Sequence, residues 1–438
     1  MISMTFVFMT DLNNTEQEAN IVEIEQSSVK SMTMPFTEPI KVIQTSTDSQ
    51  PAPNIAIDDS GKMLVIYPST ENGITNLYIK SSMDNGKSFL TPVRVNSIDG
   101  NVVLDGRVAP AISFGKDGQV YALWANSTPE PNLFMGVYRT LVFAQSMDGG
   151  KSFLPSIEIA ANELPSGKFF QNMAVSGDGN IHVAWLDSPV KNNGTGYLVS
   201  DSSRPSTVRY SQSMDGGKSF MPTKALDENP CPCCNVQLAT DAESNVYVSW
   251  RGVFGEGETQ IRDMVVASSS NSGKIFSSPV KIHEDNFNFN GCVHVGAPMD
   301  VDSKGNLHVV WYTGSESSPG IYYATSSDHG QTFSQPVPIL TSDWVPPLRV
   351  YLTIDDNDTT WITWEDATGL SINDKVWRYS ETEAMIFAAK ITSDGKIIKF
   401  DKSVSVDGAK SPAIASGNNV VSIVWTGIDN SVQLATIP

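Results

Sequence analysis

Apolar and polar residues alternate with a period of two along most of this chain, in pairs of short runs joined by Asp/Gly turns. The first pairs read NIAIDDSGKMLVIY up to Tyr67, PAISFGKDGQVYALW up to Trp124 and MAVSGDGNIHVAW up to Trp185. VQLATDAESNVYVSW up to Trp250 and APMDVDSKGNLHVVW up to Trp311 follow. The last are YLTIDDNDTTWITW up to Trp364 and PAIASGNNVVSIVW up to Trp425. Period two marks strands whose two faces meet different surroundings, and the turn residues at the tips make each pair a hairpin. The hairpins return every ~60 residues, a step too long for an ankyrin or leucine-rich unit and right for a four-stranded sheet with its loops. The aromatic residue closing each second strand repeats from unit to unit. Repetition of that kind indicates packing between units, not a cofactor site.

A second repeat follows the hairpins. Ser-Met-Asp-Gly-Gly-Lys-Ser-Phe occurs at 146–153 and again at 213–220, with near copies at 82–89, 269–276 and 326–333. Its third residue is Asp84, Asp148, Asp215, Asn271 or Asp328. That side chain accepts backbone N–H groups of its own turn. The glycine two residues later supplies a positive φ that a side chain would resist. The hydroxyl adds a local bond, and the phenylalanine begins the next strand as an apolar anchor. The pattern S-x-D-x-G-x-[ST]-[FW] resembles the Asp box, or bacterial neuraminidase repeat, of sialidase-type β-propellers. The resemblance implies an all-β propeller with the boxes at the blade periphery. It implies no reaction, because many members of that family are not sialidases.

The chain ends decide the blade count. Each box is followed by an outer strand: LTPVRV, LPSIEI, MPTKAL, SSPVKI or SQPVPI. Residues 36–43 (FTEPIKVI) fit the same template but have no strands before them, and residues 431–438 (SVQLATIP) form a third strand with no fourth after it. Pairing the two leaves no open edge in the ring. The expected fold is therefore all-β: a seven-bladed β-propeller with Asp-box hairpins, a single domain over 36–438 closed by its N-terminal strand. The six-bladed ring of true sialidases is the alternative. The sixth blade has the weakest pattern, with a degenerate tip at 392–395. Residues 1–35 precede the ring as a tail or the remnant of a signal peptide whose basic n-region is missing.

Composition narrows the setting. A length of 438 residues would suggest about three domains, but the unbroken repeat argues for one. No run approaches the ~18 apolar residues of a transmembrane segment. A net charge of −19 repels nucleic acid and anionic membranes and fits a secreted protein, extracellular or periplasmic. Asn-x-Ser/Thr sequons stand at Asn13, Asn126, Asn193 and Asn357.

The four cysteines change the picture most. Cys231-Pro-Cys233-Cys234 lies just before the first strand of the fourth blade; Cys292 and His294 lie just before that of the fifth. In a propeller, loops leading into innermost strands open around the central channel, so these segments are expected to converge near the axis. One reading is disulfide staples, Cys231 or Cys233 to Cys292. Another is a soft-metal site of Cys231, Cys233, Cys234, Cys292 and His294, since thiolates with one imidazole suit copper(I) or zinc. A third is a reactive thiol. The C-x-C-C loop with G-C-x-x-x-G-x-P one blade later resembles a subset of sialidase-like proteins; that resemblance implies the fold and no named reaction.

A sialidase holds its substrate's carboxylate with three arginines, and bidentate arginine suits that task. The Arg-Ile-Pro motif of that family is absent here; the nearest string is Arg107-Val-Ala-Pro110. Arg107 and Arg349 share the register of the cysteine loops, and Arg251 and Arg262 fall on the same face. Acids on that face are Asp187, Glu256, Glu258, Glu365 and Asp366, which a glycoside hydrolase would need as a pair. The Asp/Gly hairpin turns lack a full calcium loop. His182, His283, His308 and His329 are expected to be structural or exposed. The leading expectation is a binding scaffold whose axial site takes a metal ion, a small molecule or a glycan, with Arg107, Arg251 and Arg349 as neighbours. A sialidase-like glycoside hydrolase or glycan-binding protein, and a purely structural module with disulfide staples, are the alternatives.

Overall fold

The computed structural model describes residues 34–46, 51–105, 107–133, 136–194, 197–257, 260–289, 293–347, 349–366 and 384–437. Residues 1–33, most of the expected tail or signal remnant, lie outside them. Seven antiparallel sheets each follow a four-strand path, so the ring has seven blades and not six. The first blade runs Asn54–Ile57, Met63–Glu71, Ile74–Ser82 and Val93–Arg94. The innermost strands of the next five blades are Ala111–Phe114, Ser166–Val175, Gln237–Thr240, Met299–Val301 and Val350–Ile354. The third blade carries an extra strand, Leu198–Ser200, on its second strand.

The seventh blade closes the ring as its sequence demands. Its strands Lys410–Gly417, Val420–Thr426 and Val432–Ile437 come from the C-terminus, and its outermost strand is Ile40–Ile43. Ile40 faces Leu434 in that pairing, and Val42 is buried beneath it.

Burial explains the repeated tryptophans. Trp124, Trp185, Trp250, Trp311 and Trp425 are fully buried. Trp124 packs with Leu64, Ile66 and Ile79 of the first blade and Val142 of its own. Truncating such a ring costs about 3–5 kcal/mol in a close-packed core.

The boxes have the expected internal bonds. In the first, Ser88 donates its N–H to Asp84 Oδ1 (2.9 Å) and its hydroxyl to Oδ2 (2.6 Å), and Gly86 N–H donates to Ser82 Oγ (2.9 Å). Each box also seats on the preceding blade. A Cβ on Gly150 would meet Ile79; one on Gly217 would meet Phe143; one on Gly273 would meet Tyr210; one on Gly330 would lie against Val266. These four neighbours are the residues three before the box serine of the preceding blade. The first box closes the circle by seating Gly86 on Leu434 of the seventh blade.

Candidate functional site

The C-P-C-C loop is tied to its own blade before any function enters. Pro230 bridges Gly252, and Cys231 N–H donates to the Arg251 carbonyl at 2.9 Å. The loop then folds into the core beside Val236, Val293 and Val295, which leaves Cys231, Cys233 and Cys234 1%, 2% and 1% exposed. Cys231 Sγ lies 3.6 Å from Cys233 Sγ and 3.5 Å from Cys234 Sγ. A disulfide requires about 2.05 Å, so neither of these contacts is one. The three ligand atoms lie within 4.8 Å of one another. Cys292 lies outside the described residues, so the expected staple to it and its share of a metal site do too.

Two guanidinium groups attend the thiols. Arg262 Nη1 stands 3.5 Å from Cys231 Sγ. Thiol hydrogen bonds from Cys233 and Cys234, reinforced by the charges of Arg251 and Arg262, pull the Cys231 thiol well below its usual range against the effect of burial. Burial pushes Cys234 the opposite way, and the neighbouring Cys231 adds to the rise. Cys231 is thus the thiol of the cluster most readily deprotonated.

Arg251 is buried within the protein. It is 1% exposed. Its guanidinium donates to the carbonyls of Arg262 (2.8 Å) and Tyr312 (2.9 Å) and lies 5.3 Å from the centre of the Phe287 ring. Arg251, expected on the same face as the cysteine loops, has its side chain turned inward at the strand end, where it serves packing and the thiol electrostatics.

His294 joins the loops but not the sulfurs. Its Nδ1 is 2.8 Å from the Cys233 carbonyl oxygen, and its ring stacks on Phe170 at 5.8 Å. Nε2 faces Arg107 Nη1 at 3.5 Å. Burial first, then the Arg107 charge, lower its pKa, so the ring is neutral near pH 7. Arg107 is itself held by Asp105 through two bonds of 2.7 Å, and Arg139 reaches the same carboxylate at 3.0 Å. Burial raises the Asp105 carboxyl, but the Arg107 bonds and the two cationic charges outweigh it and hold it at about 2. Asn235 Nδ2 donates to the carbonyls of both Arg107 (3.1 Å) and His294 (3.2 Å). Loops of the second, fourth and fifth blades thus meet, as their register predicts.

Arg349 belongs to a separate group. It pairs with Glu365 at 3.2 Å and donates to Ser411 Oγ at 2.9 Å. Ser411 N–H donates to the same Glu365 oxygen at 3.1 Å. Asp187 accepts from Ser166 at 2.9 Å and lines another cleft. Glu258 lies outside the described residues. Each of the three arginines singled out in the sequence is engaged by protein acceptors, which is not the open carboxylate clamp of a sialidase. Asp105, Arg139 and Asn235 were not anticipated. Asp105 was legible in the sequence, since it stands two residues before Arg107; Arg139 acts from a strand and Asn235 from another loop.

No helix among the described residues is long and apolar enough to cross a membrane. No known family description matches this chain, and no curated protein is similar to it in sequence. Solved structures do resemble it. An ulvan lyase of a new polysaccharide lyase family superposes with a TM-score of 0.52 at 12% identity, covering 92% of this chain and 94% of its own. An α-L-arabinanase of Penicillium chrysogenum gives 0.50 at 12% identity over 92% and 98%. A protein of unknown function from Dyadobacter fermentans gives 0.50 at 14% identity over 92% and 98%. At such identities the likeness is one of fold: an all-β ring over nearly the whole chain.

Proposed function

We propose that this propeller is a metal-binding protein whose fourth-blade loop holds one soft ion, copper(I) or zinc, through Cys231, Cys233 and Cys234. The observation that carries this reading is the packing of three buried cysteine sulfurs within 4.8 Å of one another. Sulfurs ~2.3 Å from a shared ion stand about 3.8–4.0 Å apart, close to the 3.5 and 3.6 Å separations of these thiols. Soft thiolates select copper(I) and zinc over hard cations. Three sulfurs are a full set for copper(I), whereas zinc takes a fourth ligand. Charge agrees: three thiolates, one monovalent cation and the Arg251 and Arg262 guanidinium groups sum to zero, which a buried site requires.

The secreted setting, extracellular or periplasmic, is part of the same proposal and rests on the −19 charge. The likeness to glycan-active enzymes is of fold alone and gives this loop no glycosidic role. The test is metal analysis of protein purified without chelator, paired with thiol titration before and after a copper(I) chelator. One equivalent of metal, with thiols that become titratable on its removal, is the expected result. A metal-free protein that cannot be loaded with either ion, or a disulfide within the loop, overturns the proposal.

A further inference from the structure

Every Asp box is a plug as well as a turn. At the third blade, Tyr210 hydroxyl and His182 Nδ1 are 2.6 Å apart, and His182 Nε2 meets Ser176 Oγ at 2.7 Å. The fourth-blade box presses on this pair: a Cβ on Gly273 would stand 1.8 Å from the Tyr210 hydroxyl, and Phe276 packs edge-on against its ring at 4.8 Å.

The fifth blade carries the same pair at the same register. Tyr323 stands three residues before the box serine Ser326, as Tyr210 does before Ser213; His308 stands three before Trp311, as His182 does before Trp185. Tyr323 hydroxyl is 2.6 Å from His308 Nδ1, and Asp302 Oδ2 takes the place of Ser176 at 3.4 Å from Nε2. The sixth blade, however, has no box to lay over them. Its third strand ends in a tight hairpin in which Ile391 pairs with Ile397 and Thr392 N–H donates to the Lys396 carbonyl at 3.0 Å. The missing plug leaves a cleft of about 360 Å³ between the two blades.

Its walls define a chemistry. The fifth blade contributes Asp302, His308 and Tyr323, and the sixth Asp358, Ile391 and Ile397. Asp358 accepts from the Ser303 amide (2.8 Å) and hydroxyl (2.7 Å), two of the roughly four bonds a carboxylate can accept. Two carboxylates against the single ammonium of Lys304 disfavour anions. Ligand hydroxyls can donate to Asp358, since Asp302 is already filled by Lys304, Asn306 and His308, while a C–H face lies on the isoleucines. The volume falls within the ~300–1,000 Å³ of small-ligand clefts.

We propose that the cleft between the fifth and sixth blades is a binding site for a neutral sugar, a monosaccharide or the end of a short neutral oligosaccharide. It is independent of the thiol loop. The experiment is saturation-transfer NMR on the full chain with methyl glucoside, galactoside and mannoside, with N-acetylneuraminate and glucuronate as anionic probes. Affinities of any that bind are then measured by calorimetry. Ser393, exposed on the cleft lining, is replaced by Trp to fill the space without touching the buried pair. Asp358→Asn removes an acceptor; its φ of +56° suits asparagine. The expected result is binding of at least one neutral glycoside, weakened about tenfold or more by each variant, a change of ~1.4 kcal/mol. The melting temperature and thiol titration of S393W stay as in the parent, which separates this outcome from the fate of the metal site. Absence of binding by every neutral glycoside, equal binding by S393W, or anionic sugars binding as well as neutral ones overturns the proposal.

Discussion

His294 Nδ1 meets the carbonyl oxygen of Cys233 at 2.8 Å, and not a sulfur. The bond fixes the tautomer, since a nitrogen facing a carbonyl must carry the proton. It turns Nε2 toward Arg107. The imidazole, expected among the metal ligands, makes contacts here that join the loops of the second, fourth and fifth blades. It follows that His294→Ala leaves metal stoichiometry at the parent level. Cobalt(II) loaded into H294A should show the same sulfur-to-metal charge-transfer bands as in the parent chain. Loss of those bands, or a shift to a purely oxygen environment, would return His294 to the ligand set.

Arg251 tests a different link, from packing to stability. Replacing it with Met leaves the carbonyls of Arg262 and Tyr312 without their donor and removes a cation from the Phe287 ring. Losing buried, charge-assisted bonds of this kind costs about 3 kcal/mol. Denaturant unfolding of R251M should show that loss, with R251K recovering part of it because lysine keeps the charge but not the fork. An unchanged midpoint would mean the guanidinium is not held as described.

The aspartates of the repeated S-x-D-x-G turns should shape the acid limit of the fold. The Ser88 bonds hold Asp84 at about 2. The Thr332 bonds do the same for Asp328. At Asp215 burial raises the carboxyl, but the Ser219 and Ser213 bonds outweigh it, again giving about 2. The ordinary value is 3.8 in each case. A folded-state pKa below the unfolded one means that the unfolded chain binds more protons in this window. The stabilisation is therefore complete above about pH 4 and is lost as pH falls toward 2. The fourth-blade box has Asn271 in this place, with the same Ile275 N–H donor at 2.8 Å, and cannot titrate. Asp215→Asn should accordingly flatten the acid limb of a stability-against-pH curve without removing the turn. An acid limb as steep in D215N as in the parent would assign the loss to other carboxylates.

Much of this architecture was legible because a propeller writes its register along the chain. The hairpin period, the boxes and the unmatched strands at 36–43 and 431–438 are local patterns, and each translates into one sheet. Register put Arg107, Cys231 and His294 on neighbouring loops, but it placed Arg349 with them too, and Arg349 pairs elsewhere with Glu365. Side-chain direction was not legible. Arg251 follows Trp250 at a strand end, and only the Phe287 ring and the Tyr312 carbonyl, supplied by residues far along the chain, draw it inward. His294 has φ of +58°, a backbone state that no spacing rule predicts and that aims the ring at Cys233. The seating of each box on the blade before it was also hidden, because it joins residues about 70 apart through shape and not through sequence pattern.

Ring closure rests on a single short strand, Ile40–Ile43. Val42 is 3% exposed and packs with Val424, Val432 and Leu434 in a cluster that also contains residues of the first blade. Thr37 N–H donates to the Thr436 carbonyl at 2.9 Å, extending the same pairing. Without this strand, Val432–Ile437 becomes an open edge, and open edges recruit other chains. Val42→Asp places an unpaired carboxylate at the seam and should cost about 3 kcal/mol. The chain should then run as larger species on size-exclusion chromatography at high concentration. Lys41→Glu is the control on the same strand: its bond to Asp429 at 2.8 Å joins side chains 48% and 44% exposed, and such pairs contribute less than about 1 kcal/mol. K41E should elute and melt close to the parent. Equal effects from V42D and K41E would show that surface charge, and not burial at the seam, holds the ring shut.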